Sequence, residues 1–188
     1  MGKRIENILL KEISKGNINA FEQLYLLYKN KVYNTAIGYL QNIEEAEEVT
    51  QDIFLTIYQK ADTFQGKSKV STWIYRITVN KALNKLEKRK RSPVSQREVN
   101  ERDRTDFDHP GVQLENKEKS RFLFKAIDEL PETQKTAFVL SFVEGLPRQE
   151  VADVMETTLK SVESLLQRAK SNLRKYLIDI YPEGKTKK

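Results

Sequence analysis

Apolar residues recur at spacings of three and four along most of the chain, which is the periodicity of amphipathic α-helices. Ile5, Ile8, Leu9 and Ile13 predict a first helix, and Gly16 is placed to end it. No segment alternates between apolar and polar residues as a half-buried strand would. The pattern therefore predicts an all-α fold.

Polar residues that can cap helices mark the beginnings of the next elements. Asn19 is the predicted N-cap of the second helix. Asn42, followed three residues later by Glu45, resembles a capping box that opens a third helix. A fourth helix follows the polar loop at residues 64–71 and ends in the basic run at residues 88–91.

The helical pattern is interrupted between residues 92 and 113. Pro93 and Pro110 flank a polar, mixed-charge run there, which is typical of a flexible linker. The sequence thus predicts two small helical domains, residues 1–91 and 114–188, joined by this linker. A hydrophobic content of 38% is low for one large core and agrees better with two modest ones.

The second domain contains a segment with helix-turn-helix proportions. A short helix opens at Pro147, a turn follows at residues 156–158, and a longer helix begins near Leu159, whose exposed side would enter a major groove. The exposed candidates on that helix are Lys160, Ser161, Glu163, Ser164, Gln167, Arg168 and Lys170. Glu163 would accept from a cytosine amine or repel phosphate. An ordinary helical hairpin with a solvated charged face explains the same pattern, and glycine would take the turn more cheaply than Glu156.

Composition narrows the chemistry. With 33 Lys and Arg against 27 Asp and Glu, the formal charge of +6 favours an anionic partner, although a mildly basic solvated surface would look the same. There is no cysteine, and His109 is the only histidine, so disulfides, thiolate metal sites and histidine triads have little to build on. We expect no enzyme activity and no cofactor. The lack of cysteine, of a signal-peptide core and of long apolar runs favours the cytoplasm.

The fourth helix and its preceding loop combine aromatic, amide and basic side chains. Aromatic rings can stack on unpaired bases, amides can read base edges, and cations can hold phosphates. Trp73, Asn80, Asn84 and Lys88 share one side of the helix by their spacing. Trp73 is either a core residue, the role that we favour, or a stacking platform.

Four segments in series resemble the extracytoplasmic-function (group IV) sigma factors of bacterial RNA polymerase, which belong to the sigma-70 family. Residues 46–54 resemble the polymerase-binding motif of region two, and residues 64–80 its promoter-melting motif. Residues 130–152 and 161–170 resemble region four and its recognition helix. The resemblance implies a factor that binds core polymerase, recognises the minus-thirty-five and minus-ten elements and stabilises the melted strand during promoter-specific initiation.

The resemblance also implies roles for individual residues. Polymerase contacts fall on Glu48, Gln51 and Asp52, which lie outside the apolar stripe of the third helix; without the resemblance, a solvated acidic face explains them. The minus-ten contacts are Phe64, Lys67, Ser68, Ser71, Trp73, Arg76, Asn80, Asn84 and Lys88. The minus-thirty-five contacts are the recognition-helix candidates named above. In that helix Glu163 and Leu165 stand where many family members have cations, and an exposed Leu165 would face polymerase or an inhibitor.

The partners implied by the resemblance are the clamp coiled coil and flap of core RNA polymerase, promoter DNA, and a cognate anti-sigma factor, which is membrane-bound for many family members. No membrane insertion of this chain itself is expected. Two other classes stay open from the residues alone. One is an autonomous helix-turn-helix repressor or activator, in which the acidic third helix would have no evident role. The other is a carboxylate-metal nuclease, which requires acidic residues that converge on one pocket.

Overall fold

The computed structural model describes residues 2–91 and 117–180, and within them all regular secondary structure is helical. The predicted all-α class is confirmed for these residues. The chain divides into two compact units, Met1–Ser95 and Gln96–Lys188. The predicted linker at residues 92–113 and His109 lie outside the described residues, and the predicted domain boundaries stay predictions.

Helix α2 is the centre of the N-terminal unit, because it packs against each of the other three helices. The elements are α1 (Gly2–Ile13), α2 (Ile18–Leu40), α3 (Ile43–Lys60), a 3₁₀ turn (Ala61–Thr63) and α4 (Val70–Arg91). Leu24, Tyr28, Val32 and Ala36 recur every four residues on α2 and are at most 2% exposed. This spacing forms the continuous apolar stripe that a helix buries against its neighbours.

Asn17, and not Asn19, caps α2, so the prediction from sequence was wrong by two residues. Gly16 takes a left-handed φ of 85° at the end of the turn that follows α1, and Asn17 is extended at the start of the next helix. The Asn17 side chain accepts from the backbone N–H of Ala20 at 3.1 Å. The predicted cap of α3 is confirmed, since Asn42 accepts from the N–H of Glu45 at 2.8 Å.

Helix α8 organises the C-terminal unit and packs against α5, α6 and α7. The elements are α5 (Lys117–Asp128), α6 (Glu132–Phe138), a π-helical turn (Val139–Val143), α7 (Arg148–Val154) and α8 (Leu159–Ile180). The predicted inner side of α8 is buried, with Val162, Leu166, Ala169 and Leu173 at most 5% exposed. A polar contact joins α8 to α6, because the Asn172 amide donates to Gln134 Oε1 at 2.9 Å. In the described parts of the chain, no helix is both long and apolar enough to cross a bilayer.

Gly145 closes the π turn in a left-handed conformation, with φ at 68°. No heavy atom of a neighbouring group lies within 4 Å of the position that a Cβ would occupy. We therefore expect Gly145→Ala to destabilise the C-terminal unit by about 1 kcal/mol through backbone strain alone. Urea unfolding followed by far-ultraviolet circular dichroism measures this change.

Two controls accompany the Gly145 variant. Gly145→Asn should recover part of the loss, because asparagine tolerates the left-handed region. Fluorescence of Trp73, the only tryptophan, reports the N-terminal unit and should not shift. Wild-type stability of the alanine variant would contradict the assigned strain.

Candidate nucleic-acid interface

The three predicted polymerase contacts, Glu48, Gln51 and Asp52, are exposed on the outer side of α3. The opposite side of the helix holds the buried residues Val49 and Ile53, 3% and 0% exposed. The structure therefore places these three residues on the exposed side of α3, as their spacing predicted. Glu48 Oε2 accepts from Lys85 Nζ of α4 at 2.6 Å, whereas the Asp52 carboxylate has no ion pair among residues 2–91 and 117–180.

A second ion pair joins the end of α4 to the junction of α2 and α3. Arg89 Nη1 donates to Glu45 Oε2 and to the carbonyl oxygen of Leu40, both at 3.2 Å. Arg91 Nη2 donates to Glu87 Oε2 at 3.0 Å along α4. Of the basic run at residues 88–91, two cations thus have internal carboxylate partners, and Arg89 helps to hold α4 in place.

Helices α3 and α4 form an open groove of about 550 Å³. Its walls are Glu48, Val49, Asp52, Lys81, Asn84, Lys85, Glu87, Lys88 and Arg91. The groove brings two predicted polymerase contacts, Glu48 and Asp52, next to two predicted minus-ten contacts, Asn84 and Lys88. Sequence reasoning missed Lys81 and Lys85, although their spacing from Asn84 and Lys88 along α4 places all four on one side.

Phe64 and Trp73 join the loop to the first turn of α4. Their ring centroids are 5.6 Å apart and the ring planes are tilted by 57°. Both side chains are half-buried, so Trp73 packs against Phe64 while keeping part of its surface exposed. The structure therefore agrees only in part with the core role that the sequence favoured for Trp73. In the loop that connects Phe64 to α4, Gly66 turns the chain with φ at 68°.

The loop residues Lys67 and Ser68 are exposed and half-buried respectively. Ser68 Oγ donates to the carbonyl oxygen of Lys69 at 3.3 Å. The Lys67 ammonium is therefore the outermost predicted minus-ten contact of this loop, and Ser68 helps to shape the loop backbone.

Predicted minus-ten residues on α4 differ in how far they reach solvent. Asn80, Asn84 and Lys88 are exposed, whereas Ser71 and Arg76 are half-buried.

Ser71 lies against the buried phenol of Tyr28, which donates to Glu6 Oε1 at 2.7 Å. Burial, followed by the contact with Glu6, raises the pKa of Tyr28 well above its usual value, and the Ser71 side chain acts weakly in the opposite direction. The phenol thus stays protonated, and Ser71 faces partly inward.

The turn between α7 and α8 is formed without glycine. Glu156 takes a left-handed φ of 53°, and the N–H of Thr157 bonds to the carbonyl oxygen of Ala152 at 3.0 Å, which closes α7 as a Schellman motif. Thr158 then caps α8, because its hydroxyl accepts from the N–H of Ser161 at 3.1 Å. The Ser161 hydroxyl lies 2.9 Å from the same oxygen and takes part in the cap.

The recognition-helix candidates are unequally available for a ligand. Glu163 forms an ion pair with Arg148 Nη1 of α7 at 3.4 Å, which reduces its repulsion of phosphate. Lys170 Nζ lies 4.6 Å from the centre of the Phe142 ring of the π turn. Lys160, Gln167 and Arg168 are exposed, Ser164 is half-buried, and Leu165 is half-buried where the sequence predicted exposure.

No group of three or more histidine, cysteine, aspartate or glutamate side chains in the described ranges could hold a metal ion. The described surfaces offer amides for hydrogen bonding, aromatic rings for stacking, and charged side chains. Such groups suit recognition of another macromolecule.

Comparison with known proteins gives the same family over both units. The model of Sigma-70 region 2 matches residues 24–92, and that of Sigma-70, region 4 matches residues 123–173. The RNA polymerase sigma-H factor of Pseudomonas aeruginosa is 30% identical over 185 residues, which cover 94% of this chain and 95% of the relative. The ECF RNA polymerase sigma-E factor of Haemophilus influenzae is 31% identical over 173 residues, which cover 88% and 91%.

A solved structure shares the fold. It is the sigma factor RpoE in complex with the anti-sigma factor NepR from Bartonella quintana, with a TM-score of 0.62 and 22% identity, covering 84% of this chain and 96% of that chain. The fold, the two regional matches and the full-length relatives agree. The chain belongs to the extracytoplasmic-function sigma factors of bacterial RNA polymerase, within the sigma-70 family.

Proposed function

We propose that the N-terminal unit, residues 1–91, binds core polymerase through the outer side of α3 and holds the opened minus-ten strand on α4. Residues 92–113 then link it to a C-terminal unit, residues 114–188, that reads the minus-thirty-five duplex with α8. The observation that supports the roles proposed for the N-terminal unit most directly is the groove between α3 and α4, because it places the acids Glu48 and Asp52 beside Asn84 and Lys88.

The polymerase contact is electrostatic and apolar. Glu48, Gln51 and Asp52 present acceptors to a basic surface, which in this family is the clamp coiled coil. Leu55 and Tyr58 continue the same side of α3 by one and two turns, and they are 54% and 36% exposed. Exposed apolar groups beside charges suit a protein partner, since apolar burial supplies affinity and the charges fix orientation.

The minus-ten contact combines three kinds of interaction. Asn80 and Asn84 present amides to base edges from successive turns of α4, and the exposed parts of Phe64 and Trp73 offer stacking surface. Lys67 and Lys88 supply charge for the backbone, with Ser68, Ser71 and Arg76 closer to the interior. Flipping a base costs a few kcal/mol, and stacking returns about 1–3 kcal/mol per base, so such a site can shift a promoter toward the open state.

The minus-thirty-five contact depends on Lys160, Gln167 and Arg168, which are exposed on α8. Three other residues of α8 support it: Ser161 takes part in the cap, the Ser164 hydroxyl donates to the carbonyl oxygen of Lys160, and Lys170 lies over the Phe142 ring of the π turn. Because Glu163 is paired with Arg148, the loss of the usual cation there is partly offset. We assign base reading to Gln167 and phosphate binding to Lys160 and Arg168, together with the flap of polymerase as a second support.

The proposed mechanism makes and breaks no covalent bond, so it involves no enzyme activity. The proposed location is the cytoplasm, where polymerase and promoter DNA are found. A cognate anti-sigma factor, membrane-bound for many members of the family, is the remaining partner that we propose. It would cover the α3 surface that includes Leu55 and Tyr58. The related RpoE was solved in complex with the anti-sigma factor NepR.

Asn80→Ala tests the minus-ten assignment. We expect roughly tenfold less open complex, because a lost contact to a base edge costs about 1–3 kcal/mol. Permanganate reactivity of unpaired thymines in the holoenzyme–promoter complex measures opening. Affinity for core polymerase should not change, since Asn80 lies outside the α3 surface.

Asn30→Ala is the matched control, because Asn30 is exposed on α2 and has no role in the proposal. It should leave both opening and core binding at wild-type levels. Equal losses of opening and of core binding by Asn80→Ala would contradict the assigned role.

A further inference from the structure

One ion pair connects the proposed polymerase surface to a cation that has no assigned role. Lys85 Nζ of α4 lies 2.6 Å from Glu48 Oε2 of α3. We propose that Lys85 is a further nucleic-acid contact, which binds a backbone phosphate of the opened strand once polymerase has engaged Glu48. The inference rests on the proposed function, and it makes polymerase binding and strand binding mutually supportive.

The position of Lys85 suits a phosphate ligand. Lys81, Lys85 and Lys88 follow one another at spacings of four and three along α4, with Asn84 between them. All four line the groove between α3 and α4. A strand whose bases contact Asn84 and whose phosphates contact Lys88 would therefore pass the Lys85 ammonium.

The Lys85 contact is more exchangeable than the neighbouring ion pair of Arg89. Arg89 bonds both Glu45 and the carbonyl oxygen of Leu40, and both side chains of that ion pair are 25% exposed. The Glu48 side chain is 61% exposed and makes a single contact with Lys85, whose own side chain is 25% exposed. A single-contact ion pair with one solvent-exposed partner contributes about 0.2–1 kcal/mol. A second acceptor can thus replace Glu48 at little cost.

Two effects follow when a basic partner binds Glu48. The Lys85 ammonium loses its internal acceptor, and the negative charge of Glu48 beside the groove is neutralised. Both changes favour a phosphate in the groove. Because coupling between two ligands is reciprocal, a strand bound to Lys85 also frees Glu48 for polymerase by the same factor.

A double-mutant cycle on the free full-length protein tests the first half. The probe is a labelled single-stranded oligothymidylate, and fluorescence anisotropy gives its affinity over a series of salt concentrations. Glu48→Gln imitates the engaged state, and we expect it to raise affinity about two- to fivefold, which lies within the about 0.2–1 kcal/mol that such an ion pair contributes. It should also steepen the slope of log K against log salt by about 0.7, as one added phosphate contact would.

The gain should vanish in a Lys85→Gln background. Glu44→Gln is the matched control, because Glu44 is exposed on the same helix and has no ion pair among the described residues. It measures the general effect of one lost negative charge. A Glu48→Gln gain that equals the Glu44→Gln gain, or that persists without Lys85, overturns the inference.

Lys88→Gln separates this inference from the function on which it rests. If Lys88→Gln weakens oligothymidylate binding while the Glu48–Lys85 cycle shows no coupling, only the inference fails. If neither Lys88→Gln nor Lys85→Gln changes binding, the proposed role of α4 fails as well.

The reciprocal effect is tested on polymerase binding. In the absence of DNA, Lys85→Gln should raise the affinity for core polymerase about two- to fivefold, and an unchanged affinity contradicts the exchange.

Discussion

Replacing Ile53 by alanine is expected to lower the free energy of unfolding of the N-terminal unit by about 2–5 kcal/mol. Ile53 is 0% exposed on the inner side of α3, one residue away from the exposed Asp52. The loss combines the transfer free energy of the deleted methyl and methylene groups with the cavity that they leave. Urea unfolding followed by Trp73 fluorescence measures it, since the only tryptophan lies in this unit.

Gln51→Ala is the control for this substitution, because Gln51 is exposed on the same helix and alanine favours helix formation. Its effect should stay within about 0.5 kcal/mol. The unfolding of the C-terminal unit, seen by circular dichroism, should be the same in both variants. A wild-type fluorescence midpoint for Ile53→Ala would mean that the inner side of α3 is not part of a packed core.

Asp52→Lys is expected to weaken binding to core polymerase by about 2–4 kcal/mol, which is roughly 30- to 1000-fold. The reversed charge would face a basic partner surface, and like charges in an interface cost several kcal/mol. Because Asp52 has no ion pair among the residues that the structure describes, the substitution breaks no ion pair there. Titration of labelled protein with core enzyme measures the affinity, and the Trp73 unfolding midpoint checks the fold.

Glu22→Lys makes the same change in net charge at an exposed position of α2. It should leave polymerase affinity within about twofold of wild type, since it lies outside the proposed surface and exposed charges are screened within about 10 Å. Equal losses from Glu22→Lys and Asp52→Lys would show that overall charge, and not the α3 surface, governs binding.

The helices were predictable from sequence because burial imposes its period directly on the residues. On α3 and α8, apolar residues spaced by three and four predict which side of each helix faces the core. The structure buries the residues expected there. Helix ends were less predictable. Asn17 and Asn19 are both good caps, and only the left-handed turn at Gly16 decides between them. The break in helical geometry at Val139–Val143 left no signal, since a π turn has the same composition as the α-helix it continues.

Contacts between helices were the part of the site that sequence did not provide. The partners Lys85 and Glu48 are 37 residues apart, and Arg148 and Glu163 are 15 apart. Periodicity tells which side of a helix is polar, but it does not tell which residue of another helix lies opposite. That Glu163 and Glu48 are each paired with a cation of another helix is therefore seen only when the helices are placed together.

The unbroken length of α4 fixes how much of a strand the N-terminal unit can hold at once. The helix runs for 22 residues. At a rise of 1.5 Å per residue, Trp73 and Arg91 are about 27 Å apart along its axis. A strand with the spacing of duplex DNA, about 3.4 Å per nucleotide, would cover this distance in about eight nucleotides, and an unstacked, more extended strand would cover it in fewer. Under the proposed function, the length of this helix limits the opened segment that the N-terminal unit can contact, independently of which bases that segment contains.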